Sequence, residues 1–114
     1  MNERFRCFES VGFAVTVTDE RGVIVAMNGA AAKTFAADGG AALVGRNALD
    51  CHPEPARSRL AAMLAEGSAN HYTIAKNGQR KIIHQVPYVV DGVFAGLVEL
   101  SIPIPDDLPH FERG

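Results

Sequence analysis

Apolar and polar residues alternate from Phe13 to Thr18, with Phe13, Val15 and Val17 on one parity and Ala14, Thr16 and Thr18 on the other. Period two is the mark of a strand, because successive side chains point to opposite faces. Asp19-Glu20-Arg21-Gly22 supplies turn chemistry, so residues 23–27 are predicted to return antiparallel as a second strand. Asn28 is a helix N-cap candidate ahead of Ala30, Ala31, Ala32, Lys33 and Phe35, and Asp38-Gly39-Gly40 ends that pattern. Residues 41–51 read as irregular or as short helical turns. A second helix is predicted over residues 53–66, opened by Pro53 and Pro55 and closed by Gly67, with Ala56, Leu60, Met63 and Leu64 along one side. Strand-like residues 70–76 then meet Asn77-Gly78, a hairpin signal leading into residues 81–88. Asp91-Gly92 repeats the device before a last strand over residues 96–102. Ahead of all this, Phe5 and Phe8 with Val11 form a short helical stripe, and after it Pro103, Pro105 and Pro109 predict an extended surface tail.

The order is short helix, two strands, helices, then three meandering strands. It predicts an α+β fold in which one five-stranded antiparallel sheet carries helices on one face. A length of 114 residues suits one domain, divided as an N-terminal helical segment at 1–11, a core at 12–102 and a proline-rich tail at 103–114. Eleven Lys and Arg against 13 Asp and Glu leave a net charge of -2, which argues against nucleic-acid binding. Cys7 and Cys51 match neither a disulfide framework nor a metal ribbon, no apolar run is long enough for a membrane span, and no signal-peptide hydrophobic region opens the chain. A cytoplasmic protein is therefore expected. No paired carboxylates, phosphate loop or oriented Cys–His pair is recognisable, so the chain is not expected to be an enzyme.

Phe13-Ala14-Val15-Thr16-Val17-Thr18-Asp19 with Gly22, Val25-Ala26-Met27-Asn28, Leu43-Val44-Gly45-Arg46-Asn47, the Lys76-Asn77-Gly78 turn, and Asp91-Gly92 with Gly96 together resemble the PAS sensory domain. Within that superfamily, Asp50-Cys51-His52-Pro53-Glu54-Pro55, Tyr72-Thr73-Ile74, Gly96-Leu97-Val98-Glu99-Leu100-Ser101 and Pro109-His110-Phe111 are similar to a branch of small, stand-alone PAS proteins. The resemblance implies a sheet order of 2-1-5-4-3 and a pocket between the helices and the sheet. It implies no particular cofactor, since the fold serves haem, flavin, small organic ligands or protein contacts alone. Gly45-Arg46-Asn47 is similar to the start of the flavin light-sensor motif, but Ala48 stands where the adduct-forming cysteine would be. Haem-binding members use a histidine on the helix that here spans 53–66, and that helix has none; His52 precedes it and is expected at the surface.

On the strand at 81–88, Ile82, His84, Val86 and Tyr88 share one parity, which is expected to face the helices. A two-residue Asn77-Gly78 turn would set His71 opposite His84, a pair able to bind a metal. A three-residue loop would set Tyr72 against Ile82. Core burial favours the second register, and no metal site is expected. The chain thus reads as a sensory module that binds a small ligand through Leu60, Met63, Leu64, Tyr72, His84 and Val86 and signals through partner proteins. A homodimer joined through Phe5 and Phe8 is also expected, because an isolated short helix must lean on something, unless this segment instead folds back to cap the sheet of its own subunit. The alternative is a ligand-free dimerisation or adaptor domain, with a haem or flavin sensor as a minor one.

Overall fold

Both predicted hairpin sets join into one sheet in the computed structural model, which describes residues 3–114. The strands are β1 (Ala14–Thr18), β2 (Ile24–Met27), β3 (Asn70–Lys76), β4 (Gln79–Val90) and β5 (Val93–Ile104). Their order is β2-β1-β5-β4-β3 and every pairing is antiparallel. Between β2 and β3 lie α1 (Gly29–Thr34), α2 (Ala56–Glu66) and three 3-10 turns at Ala36–Asp38, Gly40–Leu43 and Ala48–Cys51.

The helical layer packs on one face, where Ile24, Met27, Leu43, Leu60, Met63 and Leu97 form the main buried cluster. The other face is covered too. Glu3–Phe8 forms a 3-10 turn, a geometry in which residues three apart eclipse. Phe5 and Phe8 therefore project together, and they pack with Tyr88, Val98 and Leu100 against buried Val15 and Val17. Asn28 joins this turn to the sheet. Its side-chain oxygen accepts from the Val15 and Ala31 amides at 3.0 and 2.9 Å, while its amide group donates to the carbonyls of Phe8, Val11 and Phe13.

Several expectations need correction. The β3–β4 hairpin takes the register that sets His71 opposite His84 and Tyr72 opposite Ile83. Asn77 and Gly78 have φ of 53° and 77°, the two positive values of a type I′ two-residue turn. Turn chemistry decides here because β3 is an edge strand, exposed from His71 to Lys76, so burial has little to specify. The facing of β4 is also reversed: Lys81, Ile83 and Gln85 point to the helical layer, and His84 and Val86 to the far face. Because apolar clusters pack on both faces of the sheet, the more apolar parity does not identify the helical side. Finally, α2 begins at Ala56, three residues after the expected start, and β5 runs on through Pro103.

Candidate functional site

A cavity of about 370 Å³ lies between the sheet and the helical layer. Its floor is built by strand alternation, with Thr16 and Thr18 from β1, Leu97, Glu99 and Ser101 from β5, Ile83 and Gln85 from β4, and Tyr72 from β3. Its walls are mainly apolar, supplied by Ile24, Met27, Phe35, Leu43 and Leu60, with Thr34, Asp38, His52, Lys76 and Lys81 also bordering the space. The cavity exists because several floor positions on the three central strands carry Thr, Ser, Gln or Glu where a filled core would carry larger apolar groups. Thr18 is already engaged, its hydroxyl donating to the Asp19 carbonyl at 3.0 Å and accepting from the Leu97 amide at 3.2 Å.

A polar row crosses the floor. The Asn70 amide group donates to Gln85 Oε1 at 3.4 Å, and Gln85 Nε2 donates to Glu99 Oε2 at 2.8 Å. Glu99 pairs in register with Thr16 on one side and Gln85 on the other. Partial desolvation, and secondly the negative charge of Glu99, push the Tyr72 phenol above its ordinary pKa, with Arg59 acting in the opposite sense. Tyr72 thus presents a hydroxyl rather than a phenolate to the cavity at neutral pH.

His52 is half-buried and borders the cavity, contrary to the surface position expected for it. Its Nδ1 lies 2.7 Å from the Ala48 carbonyl oxygen. A carbonyl only accepts, so Nδ1 carries the proton, and Nε2 of the neutral ring is left as an acceptor.

The six residues expected at the site are divided by the structure. Leu60 and Tyr72 line the cavity, and Met63 lines an adjoining recess of about 40 Å³ together with His52, Leu60 and Gln85. Leu64 packs against the main buried cluster and borders neither space. His84 and Val86 lie across the sheet. There His84 Nδ1 is 2.8 Å from His71 Nδ1, which is a hydrogen bond when one of the two nitrogens bears the proton. No group of three His, Cys, Asp or Glu side chains able to hold a metal ion occurs among the described residues, so this pair offers two ligands and no third. Glu99, Gln85, Thr16 and Ser101 were not anticipated. Glu99 had a legible signal, being the one charged residue between Val93 and Ile104 in an otherwise mainly apolar run.

The family model described as the PAS fold matches residues 8–83. Among solved structures, the PAS domain of BvgS from Bordetella pertussis superposes with a TM-score of 0.65 at 19% identity, covering 92% of this chain and 89% of that one. A C-terminal domain from Streptococcus mutans gives 0.70 at 14% identity, covering 89% and 82%. The Aer2 receptor of Vibrio cholerae, described as a dual PAS-heme oxygen sensor, gives 0.58 at 18% identity, covering 82% and 95%. A comparison with curated protein sequences gives no match.

Proposed function

Since the chain belongs to the PAS-fold family, whose members are sensory signalling modules, we propose that it senses a small ligand held in the cavity between α2 and the sheet and passes the signal to partner proteins. The observation that carries this reading is the cavity itself. At about 370 Å³ it falls within the size range of small-molecule sites, and it joins apolar walls to a few convergent polar groups, as such sites do. Ligand contacts are assigned to Leu60 and Tyr72, named from the sequence, together with Gln85, Glu99 and His52. A ligand signals to the extent that it binds one arrangement of strands and termini better than another. Those termini are within reach, because β5 and β1 form the floor and the back of β1 carries the Glu3–Phe8 turn.

An absorbance spectrum and a native mass spectrum of freshly purified protein test the proposal. A retained small molecule, seen as mass above that of the polypeptide, is the expected result. A haem band would reassign the site to a haem sensor with His52 as the nearest candidate ligand. Bare polypeptide that takes up nothing from a metabolite extract would leave the ligand-free adaptor reading in its place.

A further inference from the structure

We propose that the ligand of this cavity carries a cationic nitrogen group, an amine, amidine, guanidine or protonated amino-heterocycle, that pairs with the Glu99 carboxylate. The inference rests on the ligand-binding reading above and adds the chemistry of the ligand. Glu99 lies on β5, the central strand of the five, and none of the ion pairs among the described residues includes it. A carboxylate has about four acceptor positions, and Gln85 Nε2 occupies one of them at 2.8 Å. Gln85 is itself oriented by Asn70, so the amide presents its nitrogen to Glu99 from the β4 side and leaves the carboxylate fixed on the floor.

A half-buried carboxylate among apolar walls gains more from a charged partner than one in open water, because the effective dielectric constant is lower. Amidinium and guanidinium groups match it best, since two parallel N–H donors meet two oxygens. The neighbouring groups accept as well. Ser101 lies two residues along the same strand, Thr16 lies opposite Glu99, and Tyr72 keeps its hydroxyl. The competing charge is distant. Lys81 and Lys76 also border the cavity, but Lys81 sits four residues from Gln85 along β4 and Lys76 four residues from Tyr72 along β3, each a strand distance of roughly 13 Å. A small cation seated on Glu99 does not meet either lysine.

Benzamidine, benzamide and benzoate share one ring and differ in charge, so titrating each into the wild-type protein and Glu99→Gln, read by amide NMR shifts of cavity residues, tests the proposal. Gln at 99 keeps the side-chain shape and still accepts from Gln85, so the variant is expected to fold. The expected result is that benzamidine binds at least about tenfold more tightly than either of the others, and that Glu99→Gln abolishes this preference. Benzoate or benzamide binding as tightly as benzamidine, or a preference that survives in Glu99→Gln, would overturn the cationic ligand while leaving the cavity a binding site. Failure of all three probes to shift any cavity amide would overturn both.

Discussion

Asn28 shows how much one side chain can hold. The sequence identifies it as a helix cap, and it does cap α1 through Ala31, but its three bonds to Phe8, Val11 and Phe13 join residues 15 to 20 positions away. Those partners were beyond any local pattern. Asn28→Asp keeps the shape, removes the donors and points a carboxylate at three carbonyl oxygens, so a loss of at least about 3 kcal/mol in chemical denaturation is predicted. A change below about 0.5 kcal/mol would contradict the role given to it. Gly96 is a second such position. Its φ is 150°, and an added Cβ would collide with the Thr18 carbonyl oxygen, the same oxygen that accepts the Tyr88 hydroxyl at 2.9 Å. Gly96→Ala is therefore expected to lower the stability by about 2 kcal/mol or more, measured in the same way.

At the scale of elements, the strands were legible wherever turn residues bounded an alternating pattern, and their facing was not. β3 lies exposed at an edge and the apolar parity of β4 belongs to the face covered by Phe5 and Phe8 rather than to the helical face, so hydrophobic parity alone misassigned His84 and Val86. Pro103, which argued against a strand, is accommodated where a neighbour has stopped, beyond the last β1 pair at Ser101, and Pro87 likewise lies beyond the last β3 pair at Gln85. The start of α2 is held by Glu54, whose carboxylate accepts from the Ser58 hydroxyl and, at 2.8 Å, from its amide. Those bonds hold the Glu54 pKa below its ordinary value, so their stabilisation is present above the unfolded-state value and is lost as pH falls through the folded one. The Ser58 amide shift should accordingly titrate with a midpoint below that of Glu in an unstructured peptide, and a midpoint at or above it would contradict the cap.

The Glu3–Phe8 turn makes a further prediction, since its two phenylalanines cover Val15 and Val17 of their own sheet. Deleting residues 1–10 should lower the melting temperature, because it removes both that cover and the Phe8 carbonyl bound by Asn28. An unchanged melting temperature would contradict the cover. Sedimentation of the same variant tests the proposed dimer, which requires that the wild-type protein be dimeric and the deletion variant not.

For the whole molecule, sheet order and layer arrangement followed from hairpin order and family resemblance, whereas the site depends on which parity of each strand meets the helical layer. That choice turns on the outer cover, a tertiary feature, and it places Glu99, Gln85 and Tyr72 on the cavity floor. The central claim is that this space receives a ligand. Ser101 is buried on the floor, and Ser101→Trp would fill the space from a strand position without truncating the core. Native mass spectrometry of wild-type protein and Ser101→Trp, each folded by circular dichroism and each exposed to one metabolite extract, tests the claim most directly. The account predicts a bound small molecule on the wild type and none on Ser101→Trp; bare wild-type protein, or the same added mass on both, would contradict it.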